Sequence, residues 1–278
     1  MTVGQILKKK HAPPSLRMDL ELILSFVLKN TRESLLAHPE RRLSEKQLAK
    51  FNNLWKKRTQ HCPLAYLTGQ KEFYGFNFLV GKNVLIPRPE TEYLAERVIA
   101  AAQNYKLEKL TIADVGTGSG CLAITFKKLL PAAKVIGLDT SAGALMIAKK
   151  NSRQLQAGVD FYRGDLSILA GKRITPQIIA ANLPYLDKDK KQFYYKRCPE
   201  LRFEPSEALF ADRGGLGDYI DLLKMIMLLE NKPPLLFWEL GAYQIKAAKK
   251  MTEVVGGGKY DIKANDHGGT AVIELSLK

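Results

Sequence analysis

Cysteine is scarce, with Cys62, Cys121 and Cys198 the three in 278 residues, and no two of them form a CxxC pair. An odd, unpaired set fits neither a disulfide framework nor a thiolate metal site, so a reducing cytosol is the expected compartment. Histidine is sparse as well: His11, His38, His61 and His267 are scattered without metal-ligand spacing, and no structural metal is expected. No uncharged apolar run approaches the ~18 residues of a membrane span. Lys8 to Lys10 follow the few apolar residues of the N-terminus instead of preceding an apolar core, so no export leader and no membrane contact are expected. Acids are in deficit, 28 against 43 lysines and arginines, which leaves a net charge of +15. A polyanionic partner or an acidic protein surface is therefore a candidate from the start. What is present is ordinary globular material, 46% hydrophobic and 26% charged, enough for a large domain with a small one beside it.

Residues 1–65 read as helices joined by short loops. Met18 to Leu28 carries Leu20, Ile23, Leu24, Val27 and Leu28 on one stripe, and Ser44 can cap a helix that turns Leu48, Phe51, Leu54 and Trp55 inward. Residues 1–72 hold fourteen lysines and arginines against six acids, over half of the chain's excess. From Pro63 to Val84 the pattern becomes glycine-punctuated and aromatic, and Gly69, Gly75 and Gly81 bracket runs in which Phe73, Phe76 and Phe78 can cover a neighbour. This reads as a connecting β-hairpin over residues 66–88. Pro89 then opens a helix running to about Gln103.

Beyond it, apolar β runs alternate with helical ones, beginning with LTIADV (Leu110 to Val115) and KVIGLD (Lys134 to Asp139). That alternation means a doubly wound parallel α/β sheet with ligands at the carboxyl ends of its strands. The tail from Lys259 to Leu277 reads as strand, turn and strand, closing one edge as an antiparallel pair.

Asp114-Val-Gly116-Thr117-Gly118-Ser119-Gly120 follows the first of these strands directly. Alternate glycines let the backbone turn sharply and keep Cβ atoms away from a bound nucleotide-like molecule. Asp139, at the tip of the next strand, is placed to accept hydrogen bonds from ribose hydroxyls. The pair specifies an adenosine-containing cofactor without saying which, because Gly118-x-Gly120-x-x-Ala123 also satisfies a dinucleotide fingerprint. The carboxylate of Asp114 shifts the balance: it repels a pyrophosphate but suits the ammonium of S-adenosylmethionine.

Asn182-Leu183-Pro184-Tyr185 follows the apolar strand QIIAA, on the same rim. Amide and exocyclic amino nitrogens are weak nucleophiles because their lone pair is delocalised. An Asn oxygen and a nearby backbone carbonyl can both accept from such an NH2 and aim its lone pair at a methyl group. Here Asn182 orients, Pro184 accepts through its carbonyl, and Tyr185 offers an aromatic wall.

With these residues in view, the chain resembles the PrmC/HemK family, the peptide-chain release factor glutamine N5-methyltransferases, over nearly its whole length. The matching stretches include PLAYLTGQKEFYGFNF with VLIPRPETEYL, the loop DVGTGSGCLAI, NLPY, EPSEALFADRGGLGDY, WELGAYQ and DHGGTAVIEL. The resemblance implies a small N-terminal helical domain (1–65) that contacts the protein substrate, a linker (66–88), and a class I, Rossmann-like methyltransferase domain (89–278) with an antiparallel C-terminal edge. It implies S-adenosylmethionine as cofactor and the glutamine of the release factors' GGQ loop as acceptor. Carried over, Gly116, Thr117, Gly118, Ser119 and Gly120 wrap the methionine part, Asp139 holds the ribose, and Asp165 and Leu166 lie by the adenine. Asn182 to Tyr185 bind the glutamine side chain, Asn182 touching the cofactor as well, and Arg88, Glu90 and Thr91 shape the entrance.

Two positions depart from the family pattern: Leu183 stands where NPPY has proline, and Leu166 where tryptophan is common. NLPY also occurs in enzymes that dimethylate ribosomal RNA adenine, so an RNA adenine N6 methyltransferase is the alternative, and a non-catalytic ribosome-associated module is a third. The basic, aromatic run Asp187 to Arg197 lies beside the expected pocket mouth and suits either an RNA backbone or a protein loop near RNA.

Overall fold

The structure is a computed structural model that describes residues 1–9 and 16–278; Lys10 and His11 lie outside the described residues. Two compact units divide the chain after Gly69.

In the first unit, α1 (Val3–Lys9), α2 (Arg17–Leu28), α3 (Arg32–Ala37), α4 (Glu45–Thr59) and α5 (Leu64–Thr68) are helices. The apolar stripe of α2 is buried at all five positions read from the sequence, where it meets Phe51, Leu54 and Trp55 of α4; Leu48 is half-buried. Ser44 and Gln47 close a reciprocal capping box at the start of α4. The connecting hairpin expected over residues 66–88 begins later than that, since residues 66–68 belong to α5. Pro63 sets the entry to the turn and Gly69, at φ +76°, terminates it in a left-handed conformation that costs glycine nothing.

The second unit begins with the hairpin β1 (Gln70–Phe73) and β2 (Phe76–Leu79), which turns at Tyr74 and Gly75, both at positive φ. Phe73 and Phe78 are buried and meet edge to face, 6.1 Å between ring centres. After α6 (Glu90–Ala102) come β3 (Thr111–Val115), α7 (Cys121–Leu129), β4 (Lys134–Asp139), α8 (Ala142–Gln154), β5 (Asp160–Arg163), α9 (Ser167–Gly171) and β6 (Ile178–Ala181). A short pair, β7 (Leu186–Asp187) and β8 (Phe210–Ala211), flanks α10 (Lys191–Arg197). The single turn α11 (Asp212–Gly215), α12 (Gly217–Leu228), β9 (Leu235–Gly241), α13 (Ile245–Gly256), β10 (Tyr260–His267) and β11 (Thr270–Leu277) complete the chain.

Seven strands form one sheet in the order β10-β11-β9-β6-β3-β4-β5. The five strands from β9 to β5 are parallel, while β11 runs against both β9 and β10. Side chains alternate between two apolar layers as the period of a strand requires. On β6, Ile179 and Ala181 join one layer, which holds Leu222, Leu223 and Met251, and Ile178 and Ala180 join the other, which holds Leu94, Val98 and Phe126. The reversal of strand order falls between β3 and β6, so the loops after these two strands adjoin at the carboxyl rim. Asn151 on α8 fastens the hairpin to this rim: its side chain takes the Leu79 amide (2.7 Å) and gives hydrogen bonds to the carbonyls of Leu79 (3.0 Å) and Ser119 (2.8 Å).

Among the described residues no helix is long and apolar enough to cross a membrane.

Candidate active site

The loop after β3 is wound so tightly that three of its residues occupy left-handed space: Gly116, Gly118 and Gly120, at φ +76°, +56° and +81°. Asp114, the fourth residue of β3, braces it from beneath, its Oδ2 accepting from the Thr117 hydroxyl (2.6 Å) and the Ala123 amide (3.2 Å). Its Oδ1 is buried without a partner, and burial pushes the carboxyl up to about 7. Asp139, at the end of β4, accepts from the amides of Gly118 (2.9 Å, through Oδ2) and Ser141 (2.8 Å, through Oδ1). Burial raises its proton affinity above the ordinary carboxylate range, against the pull of those two amides.

Gly116, Thr117, Gly118, Ser119 and Asp139 line a cavity of about 390 Å³ that reaches to Asp165 and, on the other side, to Asn182, Leu183 and Pro184; Asp114 and Gly120 are not among its lining residues. Asp165 caps α9, accepting from the Ser167 amide (2.9 Å) and hydroxyl (2.6 Å), which hold its carboxyl below the usual range. Leu166 is fully buried in the core layer and is not among the cavity's lining residues, so it offers no surface to a bound adenine. Cys121 lines the cavity as well; burial and the nearby Asp114 push its thiol up to about 12.

The volume suits a molecule of nucleoside size, and its donor set is mixed. The loop presents Gly116 and Gly118, which have no Cβ, and the carboxylates of Asp139 and Asp165 line the wall, while the orphaned oxygen of Asp114 is buried beneath the loop and outside the lining. S-adenosylmethionine fits that set: it carries a ribose diol for an acceptor such as Asp139 and a positive charge that suits a wall holding the carboxylates of Asp139 and Asp165.

Asn182 to Tyr185 leave β6 beside this loop, since Ala181 pairs with Val115. The Asn182 Nδ2 donates to Thr91 Oγ1 on α6 (2.9 Å), which leaves its Oδ1 to accept from a ligand. The Leu183 amide donates to the Tyr219 hydroxyl (3.0 Å), which itself donates to the Glu239 carbonyl. Gln244 holds the next turn by donating to the carbonyls of Tyr185 and Gly214, both at 2.9 Å. The Tyr185 hydroxyl donates to Glu239 Oε1 at 3.4 Å, and burial raises its proton affinity.

A second cavity, of about 370 Å³, shares Asn182 and Arg88 with the first and is walled by Tyr185, Tyr194, Glu204 and Glu239. Arg88 Nη2 donates to Glu204 Oε1 at 2.5 Å, and the Ile86 amide donates to its Oε2 at 3.0 Å. Glu90 lines the second cavity and Thr91 the first, so the three residues read as an entrance lie on the two sides of Asn182.

Sequence reasoning did not single out Glu239, Tyr219, Gln244, Glu204 or Asn151. Glu239 carried the clearest signal, an acid inside the otherwise apolar strand LLFWELG. A carboxylate in that setting is expensive unless it is held by partners.

A seven-stranded sheet with one reversed strand, a glycine loop after its first parallel strand and an Asn-initiated rim motif after its fourth define a class I S-adenosylmethionine-dependent methyltransferase. Similarity to other proteins narrows this. Residues 5–69 match the PrmC N-terminal domain and residues 112–200 a methyltransferase domain. The release factor glutamine methyltransferase of Koribacter versatilis is 39% identical over 215 residues, 77% of this chain and 73% of that one. Its counterpart in Moorella thermoacetica is 34% identical over 262 residues, 91% and 88%. Among solved structures, the hMettl16 catalytic domain in complex with MAT2A 3'UTR hairpin 6 shares the fold, with TM-score 0.55 over 80% of each chain at 17% identity. The chain belongs to the release factor glutamine methyltransferase family.

Proposed function

We propose that this chain methylates the side-chain amide nitrogen (N5) of the glutamine in the GGQ motif of peptide-chain release factors, acting in the cytoplasm. The observation that carries the reading is Asn182, whose nitrogen is committed to Thr91 and whose oxygen stays available on the edge shared by two cavities. One cavity then takes the cofactor, and the other takes the acceptor side chain.

S-adenosylmethionine supplies a methyl group on a sulfonium centre. The residues Gly116 to Gly120 wrap its methionine part, Asp139 binds its ribose and Asp165 lies at its adenine end. Asn182 Oδ1 and the Pro184 carbonyl each accept one N–H of the acceptor amide, turning its lone pair out of conjugation and toward the cofactor side. Tyr185 packs against the planar amide and limits its rotation. Placement of this kind is worth up to ~7–11 kcal/mol of barrier in favourable cases, and a protein base is not required while the amide nitrogen is neutral.

The relatives named above support the glutamine acceptor over ribosomal RNA adenine. The likeness to an RNA-bound catalytic domain, at 17% identity, is one of fold. The helical unit that ends near Gly69 is the candidate docking domain for the release factor, and its excess of lysine and arginine gives it a surface for acidic protein or nearby RNA.

Mass spectrometry of the GGQ glutamine after incubation with this protein and cofactor tests the reading. A gain of one methyl there is expected, and Asn182→Ala removes it while the fold persists. Label appearing in ribosomal RNA and not in release factor overturns it.

A further inference from the structure

Glu239 has no task in the mechanism so far, yet it is the most deeply placed carboxylate around Asn182. It stands on β9, one position beyond the Ala181–Trp238 pair, and so lies across the strand edge from Asn182. Its neighbours Trp238 and Leu240 turn into the opposite core layer, and Glu239 itself is 1% exposed. A strand this apolar would hold leucine at no cost, whereas a buried carboxylate is destabilising unless something compensates. Three polar side chains face it. The Tyr185 hydroxyl donates to Oε1, while the Thr91 hydroxyl and the Asn182 amide sit near enough to favour its charged form; Oε2 has no completed hydrogen bond. All three belong to the arm that the proposed function assigns to the acceptor amide.

The chemistry of these groups gives Glu239 a reason to be there. An asparagine amide is nearly symmetric in shape, so its neighbours decide which way it points. Thr91 alone cannot decide: a hydroxyl can accept from Asn182 Nδ2 or, with the amide reversed, donate to Oδ1. Reversal would turn the Asn182 NH2 toward the acceptor NH2, donor against donor, and no hydrogen bond could form. A carboxylate accepts only. Beside one, the Thr91 proton is drawn to Glu239, and Thr91 is left to accept from Asn182, as observed at 2.9 Å.

We propose that Glu239 is a positioning residue for methyl transfer, polarising Thr91 and steadying Tyr185 so that the Asn182 oxygen faces the acceptor amide. This rests on the reading of Asn182 as the acceptor-amide ligand. It also carries a pH signature. Burial and the nearby Glu90 push the Glu239 carboxyl up to about 7, against the pull of Thr91, Tyr185 and Asn182. Tyr219 on α12, Cys121 on α7 and Arg88 ahead of α6 are further titratable or charged neighbours, with Arg88 acting on Tyr185. Once protonated, Glu239 becomes a donor and the orientation of Asn182 is no longer enforced, so turnover falls as pH drops through about 7.

The test compares the full-length wild type with Glu239→Gln, Thr91→Val and Thr91→Ser, using release factor as acceptor. It measures kcat, KM for the release factor, S-adenosylmethionine affinity by titration, and the pH profile of kcat. Glu239→Gln and Thr91→Val are expected to lower kcat by about 10- to 100-fold with cofactor affinity within about twofold of wild type. Glu239→Gln also loses the acid limb, and Thr91→Ser recovers most of what Thr91→Val removes. A kcat that is unchanged, or that falls only in proportion to cofactor affinity, overturns the proposal. If Glu239→Gln does not fold, the Thr91→Val and Thr91→Ser pair decides by the same criteria. A wild type with no turnover on release factor overturns the proposed function and this inference with it; an active wild type with unaffected variants overturns this inference alone.

Discussion

Gly116 and Leu183 sit so close that a methyl group on Gly116 would lie 2.7 Å from Leu183 Cδ2. The first residue of the cofactor loop thus rests against the second residue of the NLPY segment. A change in one loop is transmitted to the other by contact.

Gly116→Ala is therefore expected to damage both functions at once. The left-handed backbone at φ +76° costs an alanine roughly 1–2 kcal/mol, enough for about a tenfold loss of cofactor affinity. Displacement of Leu183 lowers turnover on top of that. Adding Leu183→Ala relieves the contact but not the backbone strain, so kcat recovers more than affinity does. Titration with S-adenosylmethionine and initial rates separate the two, and a Gly116→Ala protein with wild-type affinity refutes the account.

Asp139→Ala removes the acceptor for the Gly118 and Ser141 amides as well as the proposed ribose ligand. Cofactor affinity is expected to drop by about 10- to 100-fold, the worth of one or two charge-assisted hydrogen bonds, while circular dichroism stays that of the wild type. Isothermal titration gives the affinity directly.

Asn151→Ala tests the fastening of the hairpin. Three hydrogen bonds from one fully buried side chain go to Leu79 and Ser119, and their loss leaves buried backbone groups unpaired. About 2–4 kcal/mol of destabilisation is expected in urea unfolding, and a loss below about 1 kcal/mol shows that the hairpin is held by its apolar contacts alone.

Stability should decline between about pH 4 and 7. Asp114 and Glu239 rise from ordinary carboxylate values to about 7 in the folded chain, so over that window the native state binds more protons than the unfolded one. Unfolding free energy then falls with rising pH and levels above about 7. Asp165, held below its usual range, acts in the opposite sense but only at lower pH. Denaturant titrations at pH 5, 6, 7 and 8 measure the slope. Glu239→Gln should make it shallower, and an increase in stability across the window contradicts the burial of these two groups.

Much of the rim was legible because local chemistry wrote it. Alternate glycines after an apolar strand, an acid at the next strand's tip and an Asn after QIIAA each announce themselves within a few residues. The reversed β11 was readable as half of an antiparallel tail, though its place between β9 and β10 was not, because strand order depends on pairings far apart in sequence. Leu166 shows the limit of motif transfer: its neighbour Asp165 lines the cavity, but the next side chain along turns into the core. Residues 66–68 fall in the expected hairpin linker yet are helical, because Ala65 to Leu67 suit either state and the decision lies with Pro63 and Gly69 at the ends of the turn. Thr91 and Asn182, 91 residues apart, could be joined only by folding.

Cys121 places a thiol on the wall of a chamber suited to a reactive methyl donor. Sulfur becomes a strong nucleophile as the thiolate, and burial keeps this one protonated far above physiological pH. Burial and the neighbouring Asp114 therefore also guard the thiol against alkylation by a bound methyl donor, and a substitution nearby that admitted water would expose it to slow inactivation by its own cofactor.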